Sequence, residues 1–204
     1  MKIVYTAIIG PYDKLIEQPR QYGWRYICLT DQPFTSNTWE IHHIKPSPKI
    51  FRSIKIQPYV YLPPHETSIW IDGNLLIDCD LDKLVDDNNY YLMQHPERVE
   101  VLLEFNACKR LKKDHSAIID AQKWRYYKEG FFDSAEAKKL VATGVIVRKH
   151  NDANIAFGEH WANEVMKGSL RDQLSFNFSA WRTGHNYTTF PFLQGFKRFN
   201  HVKH

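Results

Sequence analysis

Residues Lys2 to Ile9 form an almost unbroken apolar, β-branched run that stops at Gly10-Pro11. Such a run, bounded by turn residues, predicts a strand buried on both faces, as in parallel sheets. Trp24 to Leu29 repeats the pattern and stops at Thr30-Asp31, and Trp39 to Ile44 predicts a third, more alternating strand. Ser47-Pro48 then predicts a helix start, with a hydroxyl at the N-cap and proline at the first helical position. Ile50 and Ile54 mark its apolar face, and Lys49, Arg52 and Lys55 recur along a neighbouring one. Pro58 ends or kinks this helix, and Pro63-Pro64 close it.

Ser68 to Ile71 predicts a fourth buried strand ending in Asp72-Gly73-Asn74, and Tyr90 to Met93 a fifth. Val99, Leu102, Leu103, Ala107 and Leu111 follow helical spacing, and a cap at Asp114 or Ser116 opens another helix. Gly144 to Val147 predicts a sixth strand, preceded by Thr143. Asp152 is expected to cap a helix carrying Ile155, Trp161 and Val165, and a last helix carries Leu170, Leu174, Phe178 and Trp181. After Gly184 the pattern becomes aromatic, polar and irregular. Strands alternating with helices predict an α/β layered fold whose ligands bind beyond the carboxyl ends of the strands. No internal repeat or Gly/Ser linker interrupts the chain, so a single domain over residues 1–204 is expected.

With 43% hydrophobic and 25% charged residues, the 204-residue chain has an ordinary globular composition, which excludes disorder, collagen repeats and coiled coil. No apolar stretch is long enough to span a membrane, and MKIVYTAIIGPYD lacks a secretory leader, so a cytoplasmic location is expected. The net charge of +4 is scattered rather than massed, which gives no nucleic-acid footprint. Cys28, Cys79 and Cys108 form no CxxC pair and read as buried free thiols. Walker A, GxGxxG, GxSxG and HExxH patterns are all absent from the sequence.

The sharpest candidate chemistry is Ile69-Trp70-Ile71-Asp72-Gly73-Asn74. A buried strand there delivers a carboxylate and an amide oxygen, two residues apart, to the sheet edge. In an extended segment both would point the same way and could meet one hard cation, Mg²⁺ or Mn²⁺, completed by substrate phosphates. Asp-Gly-Asn is equally good turn chemistry. Asp78 and Asp80, within Asp78-Cys79-Asp80-Leu81-Asp82, are the rival metal pair, although a solvated loop with a helix cap fits them better. Upstream, Lys49, Arg52 and Lys55 supply the cations a diphosphate requires when its bond breaks. Asp172 and Gln173 stand at a helix start, where they could hold sugar hydroxyls or serve as ordinary caps. Of the histidines, His185, His201 and His204 lie in the irregular tail, where an imidazole could complete a metal site.

Five segments in order carry a resemblance: Tyr5 to Asp13, Cys28 to Asp31, Ile69 to Asn74, Thr143 to Arg148 and Arg171 to Phe176. Together they resemble a family of GT-A glycosyltransferase-like domains that includes plant proteins tied to pectin and mucilage and bacterial polysaccharide enzymes. The chain is similar, too, to the N-terminal domain of a large glycosyltransferase of chlorella viruses, which implies further transferase domains in the native chain and a host-cytoplasmic location. The resemblance implies a GT-A nucleotide-binding sandwich, with a mostly parallel central sheet flanked by helices and a metal-bound UDP-sugar donor. Thr6, Ala7, Ile8, Tyr12 and Asp31 fall where such domains hold uridine. Arg52 and Lys55 fall where a basic helix touches the diphosphate or donor sugar, and Asp72, Gly73 and Asn74 fall on the DxD position. Asp172 and Gln173 fall where looser, retaining relatives place donor-sugar and reaction-centre contacts, which makes Asp172, Gln173 and Arg52 the implied catalytic residues. The second DxD carboxylate is an amide here, and the relatives' C-terminal histidine motif is approximated only by Gly195 to Arg198 with His201, the implied third ligand.

The resulting expectation is a Mn²⁺- or Mg²⁺-dependent transferase. It would move a hexose or deoxyhexose, glucose- or rhamnose-like, from a UDP-sugar to a glycan or glycoprotein hydroxyl with retention. A metal-dependent nucleotidyltransferase is the first alternative, weakened because Gly10-Pro11-Tyr12 is a poor phosphate loop. A non-catalytic glycan-binding module using Trp24, Trp39, Trp161 or Trp181 is the second, although core spacing accounts for most of those rings. The basic tail (Lys197, Arg198, His201, Lys203, His204) would suit a domain cut from a longer chain, or a peripheral contact with an anionic membrane.

Overall fold

The computed structural model describes residues 1–11, 13–85, 89–191 and 199–201, with backbone alone for 48, 49 and 199–201. Tyr12, Lys197, Arg198, Lys203 and His204 therefore lie outside the described residues, as do the side chains of Lys49 and His201.

A seven-stranded sheet forms the centre of the chain. The buried runs become β1 (Lys2–Ile8), β2 (Trp24–Thr30), β3 (Glu40–His43) and β4 (Thr67–Ile71). They are followed by β6 (Tyr90–Gln94), β7 (Val141–Lys149) and β8 (Thr188–Phe190), giving the order β3-β2-β1-β4-β7-β6-β8. β7 alone runs against its neighbours, so the sheet is mostly parallel, as expected. A separate ribbon pairs β5 (Leu75–Ile77) with β9 (Phe199–His201). The tail read as irregular therefore supplies two strands. Each has three residues, too few for period-2 patterning to register.

The helices are α1 (Pro48–Ile56), α2 (Pro58–Tyr61), α3 (Leu81–Val85), α4 (Val101–Arg110), α5 (Ser116–Lys128), α6 (Asp152–Lys167) and α7 (Gln173–Thr183). Proline shapes the first two: Pro48 sits in the first turn of α1, which ends at Ile56, and Pro58 restarts the chain as α2. Two caps differ from expectation. Asn151, not Asp152, caps α6, its side chain accepting from the Asn154 N–H at 3.0 Å. Asp114 does not cap α5; its Oδ2 accepts from Ser169 Oγ at 2.6 Å and from the Leu170 N–H at 3.1 Å.

One core lies between the sheet and α1, α6 and α7, and contains Ile54, Ile56, Trp70, Phe157, Trp161 and Phe176. A second fills the opposite face with Val4, Trp24, Trp39, Ile69, Leu81 and Val147. A third, with Phe105, Tyr126, Phe131 and Phe178, joins α4, α5 and α7. Burying an isoleucine such as Ile54 contributes roughly 1.5–3 kcal/mol, so the buried face of α1 fixes its position on the sheet. Trp24, Trp39 and Trp161 are buried, and Trp181 packs on Phe131 and Phe178, so these rings are core rather than sugar platforms. Cys28 and Cys108 are buried free thiols, and Cys79 is half-buried.

Arg148 on β7 reaches under the end of α1. Its guanidinium donates to the carbonyls of Lys55 and Ile56, and to the hydroxyls of Tyr5 and Tyr90. A cation at a helix C-terminus satisfies carbonyls that lack partners within the helix and complements its dipole. The helix turn that carries Arg52 and Lys55 is thereby tied to the central sheet. No helix among the described residues is long and apolar enough to cross a membrane.

Candidate functional site

Strands β1 and β4 are neighbours, but the chain leaves them toward opposite sides of the sheet, since β2 lies beyond β1 and β7 beyond β4. Such a reversal opens a crevice at the carboxyl ends of the strands. There the loops after β1, β2 and β4 and the start of α1 enclose an open cleft of about 900 Å³. Ala7, Ile8, Gly10, Asp31, Phe51, Arg52, Asp72, Gly73 and Asn74 line it, together with Asp13, Leu170 and Arg171. Thr6 is buried in the sheet and does not line the cleft.

The loops after β1 and β2 are stitched together. Thr30 Oγ1 donates to the Ile8 carbonyl at 2.7 Å, and Asp31 Oδ1 accepts from the Gly10 N–H and from Gln32 Nε2, each at 2.8 Å. Those donors, Gln32 first, hold the Asp31 carboxyl below its ordinary range.

At the end of β4, Asp72 to Leu75 close a turn, with the Leu75 N–H on the Asp72 carbonyl at 3.0 Å. Asp72 and Asn74 thus reach one cleft through a turn rather than through the side-chain parity of an extended strand. The two readings of Asp-Gly-Asn coexist. Asp72 is fixed from three sides. Its N–H donates to the Gly144 carbonyl at 2.8 Å, while its Oδ1 accepts from Trp70 Nε1 at 2.8 Å and from Lys55 Nζ at 3.3 Å. Trp70 is itself locked edge-on between Tyr5 and Phe51, so core packing sets the direction of the carboxylate.

A second recess of about 300 Å³ shares Arg52, Asp72 and Arg171 with the cleft, and adds Lys55, His95, Thr143, Gly144, Asp172 and Gln173. Asp172 is buried. Its Oδ2 lies 2.8 Å from Lys55 Nζ and accepts from Thr143 Oγ1 at 2.8 Å, and its Oδ1 lies 3.4 Å from Arg52 Nη1. Burial alone would push this carboxyl up; Lys55, then Arg52, with the hydrogen bonds from Lys55 and Thr143, hold it well below the usual carboxylate range. Asp172 stands at the N-cap position of α7, but its side chain makes no capping hydrogen bond and stays ionised between cations. Gln173 Nε2 donates to the Val141 carbonyl at 3.2 Å.

Arg171, Thr143 and His95 also line the site, although sequence reasoning assigned them no role there. Thr143 and Arg171 carried a signal, each as the first residue of a segment in the family resemblance, and His95 carried none. The rivals lie apart: Asp80 Oδ1 accepts from the Asp82 N–H at 3.0 Å and pairs with Lys83, and neither Asp78 nor Asp80 lines the cleft. His185 packs face to face on Phe157, with ring centroids 4.0 Å apart, inside the layer between sheet and helices. His201 pairs by backbone with Leu75, the residue after Asn74.

No cluster of three or more His, Cys, Asp or Glu side chains is present among the described residues, which does not match a closed structural metal site. Asp72 with the Asn74 amide does match the donor set of Mg²⁺ or Mn²⁺, ions that keep waters and take substrate phosphates as ligands. Two arginines, Arg52 and Arg171, line the cleft together with the carboxylates Asp13, Asp31 and Asp72. A polyanion entering there meets both signs, a mixture that suits a diphosphate bridged to carboxylate by a divalent cation.

A seven-stranded, mostly parallel sheet with one reversed strand, flanked by helices and opening a cleft at the β1/β4 switch point, matches a GT-A-like sandwich. The chain belongs to the TOD1/MUCI70 glycosyltransferase-like domain family, whose model matches residues 11–202. It is 30% identical over 134 residues to the probable hexosyltransferase MUCI70 of Arabidopsis thaliana, a match covering 60% of this chain and 23% of that protein. The match thus spans about a quarter of that relative's length. The family resemblance drawn from the five segments is borne out.

Proposed function

We propose that the chain transfers a hexose or deoxyhexose from a UDP-sugar to a hydroxyl of a glycan or glycoprotein, with retention, using Mn²⁺ or Mg²⁺ at Asp72 and Asn74. The observation that carries this reading is Lys55, shared between the carboxylates of Asp72 and Asp172 at the seam of the two recesses. A divalent ion, when bound, would add Lewis-acid neutralisation of the diphosphate. Around it, Ala7, Ile8 and the Asp31–Gly10 loop form a slot for the uracil and ribose. Arg52 and Arg171 flank the diphosphate, and Lys55, held by its two carboxylates, adds positive potential where the leaving charge develops. Asp172 and Gln173 are then available to orient the donor sugar. The sugar C1–O bond to the diphosphate breaks, a new C1–O bond to the acceptor forms, and the acceptor proton leaves with the departing phosphate.

Retention is favoured because the recess offers no effective base. Asp172 is ionised but too strongly held to accept a proton readily. His95 Nδ1 already accepts from the Glu97 and Arg98 N–H groups, each at 3.1 Å. Its Nε2 faces the Arg98 guanidinium, a donor, with Nη2 at 3.2 Å, so neither ring nitrogen is left free to act as a base. His201, opposite Leu75 in the β5–β9 ribbon, is the proposed third metal ligand. For the acceptor, a mixed pocket of about 530 Å³ opens from the same sheet edge through His95, lined by Gln94, Arg98, Glu136, Lys138, Lys139, Asn186, Tyr187 and Thr189. Its amides, hydroxyls and charged ends suit the hydroxyls of a sugar.

Calorimetric titration with UDP, with Mn²⁺ and again with excess chelator, tests the reading. Metal-dependent binding of UDP and not ADP, followed by release of UDP rather than pyrophosphate on turnover, is expected. No UDP binding in either condition would reject it.

A further inference from the structure

The α4–α5 hairpin carries a surface that the cleft chemistry does not use. Five of the ten large apolar side chains exposed among the described residues lie on it: Leu103, Leu111, Ile118, Trp124 and Tyr127. Trp124 is 57% exposed, whereas Trp24, Trp39, Trp70 and Trp161 are buried. The same segment concentrates positive charge. Residues 109–128 hold seven lysines and arginines against two aspartates, a local excess of five in a chain whose net charge is +4.

Both aspartates are already engaged. Asp120 pairs with Lys109 at 2.5 Å and Lys123 at 3.9 Å, and Asp114 is bound to Ser169 and Leu170. Arg125 is paired with Glu164 at 2.7 Å. Arg110, Lys112, Lys113 and Lys128 are left without a carboxylate partner among the described residues. Lys128 sits beside Trp124, and exposed tryptophan, tyrosine and aliphatic side chains on one hairpin with unneutralised cations form the composition that partitions into a charged lipid–water interface. A sugar platform needs an open ring face, but Tyr127 stacks parallel to Trp124 at 5.6 Å and the Lys128 ammonium sits over the same ring at 5.2 Å.

We propose that this hairpin docks the chain on an anionic lipid bilayer, with Trp124 and Tyr127 entering the headgroup region and Arg110, Lys112, Lys113 and Lys128 facing the lipid charges. The turn between α4 and α5 is continuous with the cleft wall, because Asp114 holds the N–H of Leu170, which lines the cleft. The proposal rests on the hairpin alone and stands whether or not the chain uses a UDP-sugar.

The full chain is to be sedimented with phosphatidylcholine vesicles, and with vesicles containing about 30% phosphatidylserine, with brominated lipid as a depth-sensitive quencher of tryptophan emission. Binding to the anionic vesicles only, with quenching lost in Trp124→Ala/Tyr127→Ala, is expected. Lys112→Glu/Lys113→Glu should weaken binding at least ~10-fold. All four positions are exposed, so an unchanged thermal midpoint verifies that each variant is folded. No sedimentation with anionic vesicles overturns the proposal. Binding without quenching, unchanged by Trp124→Ala/Tyr127→Ala and preferring an oligonucleotide, also overturns it and identifies a polyanion patch. A concentration-dependent dimer that disappears in Trp124→Ala/Tyr127→Ala and excludes vesicles overturns it in favour of a second copy.

Discussion

The ammonium of Lys55 lies 2.8 Å from Asp172 and 3.3 Å from Asp72, joining the carboxylate after β4 to the carboxylate before α7. It spans 100 residues of sequence at the point where the cleft and the recess meet. Lys55 is 2% exposed, so its charge is compensated by these two partners rather than by water.

Replacing Lys55 with methionine should leave Asp172 a buried anion with Arg52 as its remaining ionic partner. A loss of about 3 kcal/mol in urea unfolding is expected, the usual cost of breaking a buried pair. Adding Asp172→Asn removes the stranded charge and should restore most of that stability. Turnover should stay below about 1% of wild type in both, since stability and chemistry separate when the pair is removed together. A double variant no more stable than Lys55→Met would contradict the pairing.

Arg148 offers a second separation. It is a buried cation whose donors meet the Lys55 and Ile56 carbonyls and two tyrosine hydroxyls. Arg148→Met removes a desolvated charge but strands the Ile56 carbonyl, while the Lys55 carbonyl keeps the Tyr5 hydroxyl at 2.8 Å. A net loss of about 1–3 kcal/mol in stability is expected, the usual cost of one unmet buried carbonyl. Arg148→Lys should recover only part of it, because an ammonium cannot reproduce the planar fork. Equal stability of wild type and Arg148→Met would remove this account of how α1 is held.

Much of the scaffold was legible in the sequence because it is written in long buried runs. β1, β2 and β4 are continuous apolar segments, and Ser47-Pro48 and Pro58 bound α1 at both ends. The short strands β5, β8 and β9 were not, since three residues carry no usable period. The site divides the same way. Asp72 and Asp172 were found from their local positions, at a strand end and a helix start. Thr143 and His95 join them only because β7 runs antiparallel beside β4 and β6 pairs with β7, relations set by tertiary topology. Lys55 was read as part of a basic helix face. Helical spacing fixed that face, but not that it turns inward against two carboxylates.

His185 carries a pH dependence whose sign follows from burial, which pushes its imidazole down to about 4. The unfolded value is about 6.5, so below that pH the unfolded chain takes up a proton that the folded chain refuses. Stability attributable to this group should be unaffected above about pH 6.5 and fall as pH drops toward about 4. His185→Phe keeps a flat ring against Phe157 and cannot titrate. It should match wild type within about 1 kcal/mol at pH 7.5 and exceed it by about 2 kcal/mol at pH 4.5, the partial exposure of the ring lowering the full linkage value. Parallel pH–stability curves for the two proteins would show that another group governs acid unfolding.

Gly144 gives the most local test of the Asp72 geometry. A Cβ added there would stand 3.3 Å from Asp72 Oδ2, while the backbone would tolerate alanine, since its φ lies outside the positive region. The neighbour that must yield is a carboxylate whose other oxygen is held by Trp70 and Lys55, so relief comes by rotating Oδ2 away from its present direction. Gly144→Ala should therefore change unfolding stability by less than about 1 kcal/mol. It should weaken Mn²⁺-dependent UDP binding about 10-fold, because a misdirected ligand oxygen costs affinity without costing fold. Leu75 Cδ1 stands 3.8 Å from the same Cβ, an ordinary contact that demands no shift. Unchanged metal-dependent binding in a stable Gly144→Ala protein would mean that Asp72 Oδ2 is not a ligand, and would move the ion away from the β4 turn.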